Sequence, residues 1–533
     1  MRRLAGVVAL AGAMTLLAVG TAGANPYSTT GPTDASAAGT PFAPDCGGPG
    51  EGFHTADEVP GVNFPDTEIE PWFDANPTDS SNLVGFHQQD RWSDGGSHGL
   101  VADVSHDGGT SWSKSWPAFS ICAGGTAANG GNYERSSDPW VSFAPDGTLH
   151  AISISFDRST AHNAVLASRS TDGGNTWSDP KTLKEDNSNS GPLANLFNDK
   201  ESITADPTLN GNVYAVWDRI ESPNNSPLTP PQAYANTLAF QGPAWFARST
   251  NNGASWEPAR KIFDPRPSRT QTIGNQIVVL PDGTLVDGFT YISGANGHDI
   301  HRGENAAVIR STDKGDTWSD MTVIANMGDR GVRDPEPVNC PGDNTPSTPC
   351  LLVRTGDIIS DFAVAPNGDL YAVWQSHRSA AVLGNPVDDT ILLSRSTDGG
   401  ETWSAPVKVN HTPSGFNEQA FTASVHVADS GDVAVTYYDF RNDAQGDSAL
   451  STDYWVAHCH ADCDQESSWP ASQENQLTPA SFDMRSAPYA IGYFVGDYEG
   501  LDNFGSTFTP FFVQSNGTHA TPLTDAFYST AGP

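Results

Sequence analysis

Positive charge is scarce in this chain: its 533 residues carry 27 Lys and Arg against 63 Asp and Glu, a formal net charge of −36. So acidic a surface repels phosphate backbones and anionic bilayers, which excludes nucleic acid and membranes as partners. An anionic ligand could bind only where arginine is locally concentrated. Long apolar runs are missing as well, with one exception. After Arg2 and Arg3 come the apolar residues Leu4 to Val19 and then the small-residue series TAGAN, the pattern of a secretory signal cleaved after Ala24. No later stretch reaches the roughly 18 apolar residues of a membrane helix. The expectation is a soluble extracellular protein with residues 1–24 as signal peptide, 25–52 as an N-terminal linker segment and 53–533 as one domain.

Cysteine is sparse too, with six in all. In an exported chain such residues pair with each other before they bind metal. Two pairs are close in sequence, Cys340 with Cys350 and Cys459 with Cys463, which leaves Cys46 for Cys122. The stretch HCHADCD, with His458 and His460 beside two thiols, has a metal site as its alternative reading. No other cluster calls for a metal or cofactor.

What the chain has in quantity is repetition. SHDGGTSW, STDGGNTW, STNNGASW, STDKGDTW and STDGGETW place Ser, Asp or Asn, Gly and Trp at fixed offsets, and DCDQESSW keeps Asp464 and Trp469 after losing the glycine. The central residues Asp107, Asp172, Asn251, Asp313, Asp398 and Asp464 recur every 62 to 85 residues. A short acid or amide accepts backbone N–H groups inside a hairpin turn, Gly supplies positive φ, and Trp packs between neighbouring sheets. A second turn precedes each motif, as in APDGT, LPDGT, APNGD and ADSGD, and leads into strands such as LYAVW. Each unit is then strand, tight turn, strand, longer loop, strand, boxed turn, strand. That is a four-stranded antiparallel blade, and the series predicts an all-β propeller. The last unit ends where its own boxed turn would fall, so an N-terminal strand, drawn from between Phe53 and Phe64, closes a ring of seven blades, with six as the alternative. A closed ring hides its edge strands and favours a monomer.

These motifs resemble the Asp-box, or bacterial neuraminidase repeat, and the chain is similar over nearly its whole mature length to secreted bacterial proteins of the sialidase-like superfamily. The resemblance implies a glycan-active enzyme. Sialidases of this group set three arginines on the sugar carboxylate, use a Tyr–Glu pair as nucleophile and an Asp as acid/base, and have six blades. Where they usually carry Arg-Ile-Pro, this chain reads EIEPWFDANP, with Glu70 and Pro71 and no arginine.

In an antiparallel blade the first and third connections share one end, so a site is expected at the other. There the second loops open with QQDRW, FDR, WDR, QSHR and YDFRND, offering Arg91, Arg158, Arg219, Arg378 and Arg441 as forks for a carboxylate or sulfate. Each could instead pair with its neighbour Asp90, Asp157, Asp218 or Asp439. The links into the innermost strands supply acids: Glu70, Asp138, Asp199 and Glu201 in FNDKESI, Asp357 and Asp361 in RTGDIISD, and Asp497 and Glu499 around Tyr498. Crowded carboxylates push one another's pKa apart, as glycoside hydrolysis requires. Asp138, Glu201, Asp357 and Tyr498 are the expected catalytic residues. Glu70, the arginines and Asn275, in GNQI, are the expected contacts to a carbohydrate that is anionic if the arginines face it. Elimination on a uronic acid and a non-catalytic glycan- or protein-binding propeller are the alternatives.

Overall fold

The computed structural model describes residues 27–44, 46, 61–158, 160–187, 196–221, 241–265, 270–293, 303–328, 331–339, 349–376, 388–413, 417–446, 448–517 and 521–533. The segment expected as a signal peptide lies outside these. Four-stranded antiparallel arrays recur along the chain. The first runs from Glu68–Ala75 to Ser113–Ser115, the second from Arg135–Phe143 to Lys181–Asp186, and the third from Leu196–Ala205 to Arg260–Phe263. Further arrays begin at Thr270–Val279, Ser360–Val364 and Glu418–Val427. The last has Gly500–Phe504, Thr507–Ser515 and Thr524–Tyr528. The first strand of each array lies against that of the next, and Gly500–Phe504 lies against Glu68–Ala75. Among the described residues no helix is long and apolar enough to cross a membrane.

The fourth strand of the last array is Thr33–Asp34, with Thr33 opposite Tyr528 and Asp34 opposite Phe527. This corrects the expected donor between Phe53 and Phe64. Residues 53–60 lie outside the described residues, and Phe64 instead donates its N–H to the Arg91 carbonyl at 2.8 Å. The segment read as a linker thus contains two short strands, the other being Ser28–Thr29 against Ala531–Gly532. A two-residue strand carries no periodic signal, which is why the sequence did not announce it.

The boxed turns are built as their chemistry dictates. At Asp172, Oδ1 accepts from Ser170 Oγ at 2.7 Å and Thr176 N at 2.9 Å, while Ser170 Oγ accepts Gly174 N at 2.9 Å. Asp398 repeats the set, and Asn251 still accepts Ser255 N at 2.9 Å. Gly174 and Gly400 sit at φ 97° and 90°, where a side chain would be strained. The box tryptophans pack against the preceding array, as Trp177 does on Phe86 and Trp318 on Phe246. In the decayed copy the Cys459–Cys463 disulfide closes the turn, and Trp469 is buried all the same. Cys46 is joined to Cys122; Cys340 and the Cys350 side chain lie outside the described residues. His458 stacks on Tyr27 at 3.6 Å and His460 meets Asp432 at 2.9 Å. With both thiols in the disulfide, HCHADCD ties down a turn and the chain near its N-terminus.

Five first strands share a departure from regular pairing. Register slips between Ile69 and Trp72, Ser137 and Trp140, Asp199 and Ser202, Ile273 and Gln276, and Phe421 and Ser424, so that two residues oppose one. The leading bulge residue is left-handed each time: Glu70 at φ 51°, Asp138 at 56°, Lys200 at 45°, Gly274 at 66° and Thr422 at 48°. A left-handed non-glycine residue costs about 1–2 kcal/mol, so four of these bulges are strained, and strain of this kind gathers at functional sites.

One buried acid stands apart from any network. Asp287, in Leu285–Ser293, lies opposite Ile277 and Ile309, fully buried, and neither carboxylate oxygen has a well-formed donor. Burial pushes its carboxyl well above the usual range. A folded-state pKa above the unfolded one means stability falls as pH rises past the ordinary aspartate range. Asp287→Val is therefore expected to stabilise the fold by about 1–3 kcal/mol at pH 7. Denaturant melts should find that gain lost near pH 3.

Candidate active site

The bulges bring the leading residues of three first strands together. Lys200 Nζ lies 2.8 Å from Asp497 Oδ2, 3.3 Å from Glu70 Oε1 and 3.4 Å from Asp138 Oδ2. It also sits 5.4 Å from the centre of the Tyr498 ring. Arg354 donates to the same Asp497 oxygen, Nη2 to Oδ2 at 2.9 Å, and reaches Oδ1 with Nε at 3.4 Å. It reaches there because Pro349–Arg354 pairs in parallel with Tyr493–Phe494, just before Asp497. Lys200, Glu70 and Asp138 are almost fully buried, whereas Arg354 and Asp357 are partly exposed and mark the open side. Pro71 and Pro139 fill the second bulge position, where the strand forms no ladder bond. Beyond them Trp72 and Trp140 stack at 3.3 Å, with Tyr498 against both.

The electrostatics divide the acids into two kinds. Burial pushes Glu70 up to about 8, with Lys200 opposing it and Asp138 and Asp497 adding to it. Burial and Asp138 raise Asp199 to about 7. Burial and Asp497 raise Asp357 to about 7. Glu201 and Asp218 go well above the carboxylate range through burial, helped by Asp138 and Asp199 respectively. Asp497 goes the other way: burial would raise it, but Arg354 and Lys200 hold it well below the usual range. The site therefore holds protonated carboxyls beside a carboxylate fixed in its ionised form.

Glu201 is 3% exposed, and neither of its oxygens has a well-formed hydrogen-bond donor. Asp218 Oδ1 and Asn275 Oδ1 are in the same condition, while the Asn275 amide donates to Thr272 Oγ1 at 3.1 Å. Other expected acids tie strands together: Asp361 accepts Val425 N at 2.8 Å and Glu499 accepts Val513 N at 3.1 Å. Tyr498 donates to the Pro139 carbonyl at 3.2 Å, and burial and Glu70 push its phenol well above its ordinary value.

The arginines stand apart from this cluster, except Arg91. It donates to Gln88 Oε1 at 2.7 Å, and Gln88 in turn donates to Glu70. Arg158 faces Asp94 at 3.4 Å, beside Arg135 on the same acid at 2.7 Å. Arg219 grips Asp186 with two prongs, Nε at 2.8 Å. Arg441 binds Asp439 at 2.6 Å and Glu474 at 2.5 Å. Arg378 lies outside the described residues. Only Arg441 takes the neighbour expected of it, for a geometric reason. Asp218 and Arg219 are adjacent strand residues and point to opposite faces, Asp90 is turned to φ 62° and holds His98 at 2.9 Å instead, and Arg441, in the turn that follows Val433–Asp439, folds back onto Asp439.

The sequence reading missed Lys200 and Arg354, although both stand in the segments it singled out. A cation between two acids was the available signal, but the bulge that turns Lys200 inward leaves no mark in the sequence. At the boxed end a separate cavity of about 500 Å³ is lined by first turns, including Asp74, Asn76, Asp502 and Phe504. Boxes and first turns do share that end, as Asn252 N on the Gly211 carbonyl at 2.8 Å illustrates.

The BNR/Asp-box repeat model matches residues 394–405, and the chain carries that repeat. No curated protein matches the sequence. Among solved structures, a Hadza microbial sialidase is similar at 15% identity, over 85% of this chain and 74% of its own, with a TM-score of 0.44. The Penicillium chrysogenum alpha-L-arabinanase complexed with arabinobiose gives 12% identity over 77% and 94%, at 0.42. A leech intramolecular trans-sialidase gives 12% over 84% and 82%, also at 0.42.

Proposed function

We propose that this chain is a secreted glycoside hydrolase, a seven-bladed propeller closed by Thr33–Asp34, with its active site around Lys200. The ring reading is supported by the contact of Gly500–Phe504 with Glu68–Ala75 and by the N-terminal pairing. Export is supported by the two disulfides and the signal-like N-terminus. A closed ring leaves no sheet edge open, which favours a monomer.

One observation carries the chemistry: Lys200 and Arg354 both lie on Asp497, at 2.8 and 2.9 Å, in a buried cluster whose Glu70 and Glu201 burial pushes toward the protonated form. Hydrolysis of a glycosidic bond needs that division of labour. Glu201, buried and with no side-chain partner on either oxygen, is the proton donor to the leaving oxygen. Asp497 and Asp138 face the positive charge that develops on the sugar, or the water that attacks it. Lys200 is the positioning residue that orders them. Trp72 and Trp140 form a platform beside the site, and Tyr498 supports it as a wall, since a phenol held neutral on a carbonyl is a poor nucleophile.

The test is product analysis on a panel of plant, microbial and animal glycans. Release of saturated reducing sugar by the wild type, with loss in Glu201→Gln, is the expected result. The rate should fall on the alkaline side as Glu201 gives up its proton. Products carrying a new double bond would mean elimination instead, and binding of glycan with no product at all would mean a scaffold.

A further inference from the structure

Val332–Asn339 and Pro349–Arg354 belong to none of the four-stranded arrays. They form a hairpin between the arrays that begin at Thr270–Val279 and Ser360–Val364, with Val332 opposite Val353 and Arg333 opposite Leu352. An isolated two-stranded hairpin is marginally stable at best in water. Its pose is therefore set by what it docks on. Val353 and Arg354 pair with Tyr493 and Phe494, and Val332 and Val353 are buried with Met484, Tyr493 and Val495. The Gln419 amide accepts Arg333 N at 2.8 Å and donates to the Arg333 carbonyl at 2.7 Å. Arg485 grips the buried Asp334 with two prongs, Nε to Oδ2 at 2.7 Å and Nη2 to Oδ1 at 2.9 Å. Such a fork fixes direction as well as distance.

That grip lies a short way along the hairpin from the candidate site. Asp334 is two residues past Val332, Val332 faces Val353, and the next residue, Arg354, stacks on Phe494 at 4.0 Å and donates to Asp497 Oδ2 at 2.9 Å. Beyond it Gly356 packs on the Asp497 carbonyl so tightly that a Cβ would come within 1.7 Å of the oxygen. A tilt of the hairpin cannot leave that contact intact. The charged and titratable groups against Arg485 are Asp334, Asp483 and Tyr493, whereas Asp497 interacts with Arg354, Lys200, Glu70, Asp199 and Asp357.

We propose that Arg485 is a positioning residue of the active site: by gripping Asp334 it holds the inserted hairpin in the pose in which Arg354 reaches Asp497, and so fixes that carboxylate. The inference rests on the glycan-hydrolase reading for the use made of Asp497. It goes beyond it in tracing the placement of Arg354 to a residue that touches neither Asp497 nor Lys200.

A double-mutant cycle on the full mature chain tests it, with urea melts of Arg485→Gln, Arg354→Gln and the pair at pH 7. Independent roles would add. If Arg485 acts through Arg354, the loss caused by Arg354→Gln should be at least halved in the Arg485→Gln background, where the guanidinium has already left Asp497. The crystal structure of Arg485→Gln should show Arg354 off Asp497, and Arg485→Lys, which keeps the charge with one prong, should restore the contact in part and replaces the glutamine variant if that one fails to fold. On a hydrolysed glycan, Arg485→Gln should lower kcat on the order of 10²-fold, the cost of a displacement of about 1 Å, and add nothing further to Arg354→Gln. Additive losses, or Arg354 still on Asp497 in the Arg485→Gln structure, overturn the inference. A coupled cycle with Arg354 displaced but no glycan hydrolysed by the wild type would sink the hydrolase reading and leave the positioning role standing.

Discussion

Replacing Lys200 with methionine is expected to cost about 3–5 kcal/mol of stability at pH 7, the usual penalty for stripping a buried charge of its partner. Methionine keeps much of the volume but leaves Glu70, Asp138 and Asp497 facing one another without the ammonium that lies within 3.4 Å of all three. The loss should shrink at pH 3. Lys200 and Arg354 together hold Asp497 well below the usual carboxylate range, so the stability of this pairing is present above the ordinary aspartate range and fades as pH falls below it, whereas Glu70, pushed up to about 8 even with Lys200 present, is already protonated at pH 7 and adds no pH dependence there. Lys200→Arg preserves the charge and should recover part of the stability, limited by the strained backbone at φ 45°. Urea melts at the two pH values distinguish the outcomes. A Lys200→Met chain as stable as wild type at pH 7 would mean that the acids around it are not ionised.

Glu201→Gln should move activity and stability in opposite directions. Loss of the proton donor is expected to lower kcat by about 10²–10⁴-fold, with a smaller change in KM. The same substitution removes an ionisable group that burial and Asp138 hold well above the carboxylate range. Because the folded-state pKa is raised, the wild-type side chain is no burden below the ordinary glutamate range and becomes one as pH rises through it. The variant should therefore melt above wild type at pH 8 and equal it near pH 4. That combination separates a functional acid from a structural one, whose loss would lower stability with activity.

The fold was legible where the chemistry is local. The offset from Ser170 to Asp172 to Gly174 to Trp177 specifies a turn through bonds that span no more than four residues, so its repetition could be read directly. The acids of the site were legible for the same reason, as residues at the head of each first strand. What assembled around them was not. Arg219 finds Asp186, 33 residues away, and Arg354 reaches Asp497 across 143 residues through a hairpin inserted between two arrays. The bulge at Lys200 turns three consecutive polar residues, Asp199, Lys200 and Glu201, toward one cluster, where regular alternation would have sent the middle one away. Long-range partners and broken register are properties of the packed sheets, and a reading of one strand at a time cannot supply them.

The most direct measurement is the crystal structure of the Glu201→Gln variant soaked with a substrate oligosaccharide. The account predicts a sugar ring within hydrogen-bonding distance of residue 201 and Asp138, with Trp72 or Trp140 beside it and Lys200 still on Asp497. A sugar seated in the cavity lined by Asp74 and Asp502, with the Lys200 cluster untouched, would contradict it.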